Sequence, residues 1–242
     1  GSDSVTIPAG ATVDLASIAS AGSIAVDGGT LNINAGGQVG PMSFALNSGT
    51  VSVAGLLMPF NMTIGSAGTL NLHDGGVARM MQDGSLTGTG SAAVTVGPGI
   101  GVLGQSNFPM TVSDVGITGS GTLRIPTGGS VTLSGSTTLA PNAVNVQGDL
   151  VNSGLALAPT TGFTVDNGGR IVGHGTLNAV AMDYGTIEPS GGAGDHLDVL
   201  SAYTSTSNSL IRIHTPSAAG TQQLRLLGSA QFAGTVEIDT TD

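Results

Sequence analysis

The sequence predicts an all-β chain wound as a parallel solenoid of roughly 20 residues per coil, with little or no helix. Three observations predict it. Gly and Pro, 41 and 10 of 242 residues, interrupt nearly every window of a dozen residues. Apolar residues recur at i and i+2, which suits a strand with one face in the core and one in solvent and does not suit a 3.6-residue period. One short phrase also recurs along the whole length, the signature of a stacked repeat.

The phrase is Gly-Thr followed by an aliphatic residue. It stands at Gly29-Thr30-Leu31, Gly49-Thr50-Val51, Gly68-Thr69-Leu70, Gly121-Thr122-Leu123, Gly175-Thr176-Leu177, Gly185-Thr186-Ile187 and Gly234-Thr235-Val236, and Ser replaces Thr at Gly22-Ser23, Gly84-Ser85 and Gly129-Ser130. Each copy opens an alternation such as TLNI, TVSV, TLRI or TVEI. Early copies are 20 and 19 residues apart, from Thr30 to Thr50 to Thr69, about one coil; others are closer, as expected when a coil carries two or three strands, and no single exact period holds.

Taken from the N-terminus, IPAGATVDL (7–15) and VDGGTLNI (26–33) are strands joined at Gly turns, and they return as IPTGGSVTL (125–133) and VDNGGRIV (165–172). The stretch 40–82 departs from the pattern, with Met58, Met62, Met80, Met81 and Phe60. It reads as a wider part of the core filled by adaptable Met, with an exposed sticky loop for a partner as the alternative. ITGSGTLRI (117–125) and IVGHGTLNA (171–179) form a further matched pair. Sandwich and barrel alternatives use large rings to fill a wide core, yet aromatics here are 3% and Trp is absent. With coils ~4.8 Å apart, about twelve coils make a rod on the order of 55 to 60 Å. Its ends need caps or neighbouring coils.

Residues 1–242 read as one domain, with Gly1-Ser2 a cloning remnant before an excised fragment. The net charge is −10; all five basic residues are Arg and Lys is absent. Nucleic acid and anionic membrane surfaces both require basic stripes and are excluded as partners. No segment approaches ~18 consecutive apolar residues, so the chain is not membrane-spanning as a helix. Zero Cys removes disulfides and thiolate metal sites without fixing the compartment.

The densest chemistry lies in GTIEPSGGAGDHLDVLSAY (185–203), with Glu188, Asp195, His196 and Asp198. Gly191-Gly192-Ala193-Gly194-Asp195 approaches a Gly-rich calcium nonapeptide. It places Asp one position early, puts His196 in the Asp place and has no second copy, so turn carboxylates are the reading taken. Asp195 and Asp198 are three apart and point to opposite sides of a strand. A catalytic cluster would need Asp183 and Glu188 to approach them from an adjacent coil, and no basic residue lies between Arg170 and Arg212, so solvated turn carboxylates are the default reading. His73, His174, His196 and His214 form no metal-ligand spacing. GPGIGVLG (97–104) lacks the Lys and helix of a phosphate loop, and no Gly-x-Ser-x-Gly elbow occurs. Thr30-Asn32, Thr50-Ser52, Thr69-Asn71 and Thr176-Asn178 would make a flat hydroxyl stripe, like that of ice-binding solenoids, if stacked in register; outward strand Thr is the plainer reading. Arg124, Arg212 and Arg225 alternate with apolar residues and point outward. No catalytic, cofactor-binding or metal-ligating residue is assigned, and no cofactor.

From Ile171 to Ile238 a longer pattern runs through Gly173, Gly175-Thr176-Leu177, Gly185-Thr186-Ile187, Pro189, Leu197, Val199, Ser209-Leu210, Ile211, Ile213, Leu224, Leu226, Gly228, Ala230, Phe232 and Gly234-Thr235-Val236. It resembles the C-terminal part of bacterial autotransporter passengers and related surface adhesin repeats, closely over 171–238 and more loosely before. Ser190 stands where Gly usually follows Pro, and Gln223 where Asp usually precedes Leu. The resemblance implies a single-domain right-handed parallel β-helix, secreted or displayed on the outer surface of a Gram-negative bacterium and serving adhesion or self-association. Its implied partners are a surface glycan or protein ligand, or a second copy meeting it through solenoid faces or ends. Parallel β-helices also host polysaccharide lyases and hydrolases, the alternative function. These need converging carboxylates, which leaves Asp195, His196 and Asp198 as the residues to locate.

Overall fold

Ser4 pairs with Ser23, Ser23 with Ser43 and Ser43 with Asn61, all in parallel. The chain thus returns to one place after roughly 21 residues and makes about 11 turns, close to the expected 20 and twelve. Coil length varies and is greatest at the C-terminal end, where His196 pairs with Gln223 and Tyr203 with Ala230. The structure, a computed structural model, describes residues 3–192, 194–214 and 223–239. Gly1-Ser2, read as a cloning remnant, and Ala193 of the Gly-rich run lie outside the described residues. Among the described residues there are 27 strands and no helix.

Each turn lays down three ladders. In the first turn these are Ser4–Pro8, Thr12–Leu15 and Ile18–Ala19. Ser23–Ile33 then covers the first two faces in one bent strand, its opening residues on Ser4–Pro8 and its closing ones on Thr12–Leu15. The recurrent phrase opens strands on all three faces: Thr50 and Thr69 on the second, Thr122 on the third, Thr186 and Thr235 on the first. This explains the irregular spacing, because the phrase marks a corner followed by a strand and not a fixed place in the coil.

Glycine at the corner has a steric cause. A Cβ on Gly55 would stand 2.3 Å from the Gly37 carbonyl oxygen, and one on Gly121 would stand 1.9 Å from that of Gly97. Successive coils therefore bring backbone so close at the bend that only hydrogen fits.

The alternation lines the interior with columns of like residues. Val51, Leu70 and Val94 stack in register and are fully buried, and the described buried apolar residues form one continuous cluster from Ile7 to Ile211. In the Met-rich stretch, Met62 and Met80 are core residues, whereas Met42 is 64% exposed. Core-filling thus holds for two of the Met.

Candidate functional site

The carboxylates between 183 and 198 share a short piece of sequence but enter four different environments, because the chain turns two corners between them. Asp183 ends Ala181–Asp183 on the third face, Glu188 lies in Thr186–Pro189 on the first, and Asp195 sits in the turn leading to His196–Val199 on the second.

Asp183 corrects the reading of these acids as solvated turn carboxylates, and it does not approach Asp195 and Asp198 as a catalytic cluster would need. It points into the solenoid and is 1% exposed, while its neighbour Met182 faces out. Gly185 N–H donates to Oδ1 at 2.9 Å and Tyr203 O–H to Oδ2 at 2.9 Å. Ser205 pairs with Asp183 in the next coil, and Ser209 Oγ donates to the Asp183 carbonyl. The first contact closes a local turn of the kind Asp favours, which places a polar group inside at a corner where backbone N–H groups need an acceptor. Burial pushes the Asp183 carboxyl above its ordinary range, partly offset by the Tyr203 and Gly185 hydrogen bonds. Burial and the adjacent carboxylate push the Tyr203 phenol up as well.

Glu188 gathers partners that sequence distance hides. Arg170, one coil earlier, reaches it at 3.3 Å and Arg212, one coil later, at 3.6 Å, with His214 at 3.3 Å. Arg170 also holds Asp149 at 2.9 Å, and Arg212 holds Glu237 at 3.0 Å. The expected absence of a basic residue near these acids therefore fails in space, since stacking supplies Arg from both neighbouring coils. The result is a ladder of alternating charge along the first face, with each acid already matched.

Asp195 turns back on its own loop, accepting the Gly192 N–H through Oδ2 at 2.5 Å. His196 Nδ1 lies 3.1 Å from the Gly194 carbonyl. Asp198 points out of the second face, as expected, but is held there by a two-pronged contact from Arg225, with Nε to Oδ1 at 2.6 Å and Nη2 to Oδ2 at 2.5 Å. Those bonds, set against some desolvation and aided by His196 at 3.5 Å, hold the Asp198 carboxyl below its usual range. Leu197 and Val199 face inward and are fully buried.

Among the described residues no group of three or more His, Asp or Glu is placed to hold a metal ion. His174 Nδ1 lies 3.3 Å from the Ser190 carbonyl. The Thr rows stack only in part: Thr12, Thr30, Thr50 and Thr69 stand in register, and the next coil replaces them with Ala93. Thr176 pairs with Ala156 and Asp198 instead, so the hydroxyl column spans four coils and does not continue to Thr176.

No protein-family model and no curated protein sequence matches the chain. Among solved structures it is similar to a TibC-catalysed, hyper-glycosylated TibA55–350 fragment, at 18% identity and a TM-score of 0.37, over 100% of this chain and 98% of that one. A similarity of that size carries no argument, and the fold rests on the strand pairing above.

Proposed function

We propose that the chain is a structural and adhesive β-solenoid segment of a large secreted or surface-displayed bacterial protein, acting without catalysis through its long faces. The observation that carries this reading is the pairing of charges along the stack. Glu188 and Asp198 are matched to Arg of neighbouring coils, Asp195 closes its own turn and Asp183 is turned inward. A rod whose side chains are tied to one another coil by coil offers rigid, repetitive surface for a glycan, a protein or another copy. The resemblance of 171–238 to autotransporter passengers supports the surface location.

A polysaccharide lyase or hydrolase needs two or three carboxylates converging on one bond, and the four acids here diverge. The test pairs two assays. Incubation with a polysaccharide panel is expected to give no depolymerisation, while beads coated with the chain are expected to adhere or aggregate and to keep doing so after Asp195→Ala and Asp198→Ala. Turnover abolished by either change would overturn the reading.

A further inference from the structure

Three of the five Arg are matched by acids: Arg170 by Asp149 and Glu188, Arg212 by Glu188 and Glu237, Arg225 by Asp198. Arg79 and Arg124 stand near each other on the third face, and no carboxylate among the described residues pairs with either. Each is half-buried with its Nε sealed from solvent and without a hydrogen-bond partner. Arg79 has only the Met58 thioether, 2.6 Å from Nη2, and burial without a counter-charge lowers its guanidinium from the ordinary range. Leaving a shielded cationic donor unmatched is costly, and it is anomalous in a chain whose net charge is −10.

The surroundings form a trough. Arg79 lies where two shallow depressions meet: one of about 350 Å³ over the Gly37 and Gly55 corners, the other of about 240 Å³ bounded by Val77, Val102, Gln105, Ser106 and Pro126. Arg124 pairs with Val102, which pairs with Val77, two residues before Arg79. The two guanidinium-bearing positions are thus two coils and two residues apart, about 12 Å between Cα atoms at ~4.8 Å per coil and ~3.3 Å per residue.

We propose that this trough binds a short carboxylated saccharide, with one carboxylate taken by Arg79 inside it and the next by Arg124, which lines neither depression and stands beside Val102 on the coil beyond. The assignment rests on the adhesive reading and names its ligand class. The planar guanidinium fork matches a carboxylate. Val77, Val102 and Pro126 supply apolar surface for the C–H faces of a sugar, and the Gln105 and Ser106 side chains supply polar groups for its hydroxyls. A nucleic acid is disfavoured, because two Arg release few counterions. An acidic peptide would gain most by adding to a sheet edge, but these central coils are already paired on both sides, Val102 with both Val77 and Arg124.

The test is calorimetric titration of the whole chain with trigalacturonate, its methyl ester and acetyl-Glu-Ala-Glu-amide. Trigalacturonate is expected to bind, the ester to bind at least about tenfold more weakly, and Arg79→Gln and Arg124→Gln each to weaken trigalacturonate about tenfold or more, the loss of one charge-assisted contact. Arg225→Gln, on the second face, should leave binding unchanged. The assignment is overturned if trigalacturonate does not bind, if the ester binds equally, if both trough variants bind like the parent, or if the peptide binds more tightly. Should either variant fail to fold by circular dichroism, the acid-against-ester comparison on the parent chain still decides. Bead adhesion separates the two readings. Adhesion without trigalacturonate binding refutes the ligand class alone, and binding without adhesion upholds it while counting against the adhesive role.

Discussion

Replacing Asp183 tests whether a carboxylate inside the solenoid is a structural acceptor. Asp183→Leu removes the acceptor for two donors, the Gly185 N–H and the Tyr203 O–H, in a site where Asp183 and Tyr203 are each 1% exposed. A buried donor left unpaired costs about 1 to 3 kcal/mol, so the two together predict a loss of about 2 to 6 kcal/mol. Tyr203→Phe strands only Oδ2 and is expected to cost about 1 to 3 kcal/mol. Asp183→Asn keeps the shape, with its oxygen accepting from Gly185 and its amide facing a hydroxyl that rotates to accept, so it should cost about 1 kcal/mol or less at neutral pH. The pH dependence has a definite sign. Burial raises the folded pKa of Asp183 above the unfolded value, so the folded state binds the proton more tightly and the stability this gives is full below the unfolded pKa and lost as pH rises through the folded one. The Asn variant does not titrate, so its stability relative to the parent should rise between pH 3 and pH 7, both values spanning roughly the carboxylate range. Urea unfolding followed by far-UV circular dichroism at the two pH values measures this. A Leu variant as stable as the parent, or an Asn-to-parent difference that does not change with pH, would refute the reasoning.

Leu70→Ala, in the centre of the column Val51–Leu70–Val94, is expected to cost about 2 to 5 kcal/mol by urea unfolding; Val13→Ala, 37% exposed at the first coil, should cost about 1 kcal/mol or less. Gly121→Ala drives a Cβ into the Gly97 carbonyl, whereas at Gly36 a Cβ meets nothing within 4 Å and only the φ of +84° resists it. Thermal melts should therefore place the first variant well below the second, and the order reversed would show that the corners yield. Asp198 is held below its usual pKa by Arg225, so their contribution is present above the unfolded carboxylate pKa and lost as pH falls through the folded one. Arg225→Met should flatten that acid limb in a pH series of melts, and should also remove part of the salt dependence.

The order in which the coils stack was legible because each level of the sequence agrees: alternation of two, Gly at corners, small aliphatics inside. Leu197 and Val199 could be placed in the core, and Arg212, Arg225 and Asp198 outside it, from alternation alone, since a strand leaves only two directions. Alternation also turns Asp183 inward in step with Ala181, and Met182 out; what it does not show is how a carboxylate is kept inside, which the Gly185 N–H and Tyr203 O–H decide.

What the sequence determined by itself was the kind of fold, because period and composition are local properties that every coil repeats. What only the tertiary structure decided was which residues meet. Neighbours in a solenoid lie one coil apart, from 16 residues between Arg170 and Thr186 to 27 between His196 and Gln223, and that interval is set by corner lengths that no period encodes. The gathering of Arg170, Arg212 and His214 on Glu188, the separation of Glu188 from Asp198, and the isolation of Arg79 and Arg124 all follow from it.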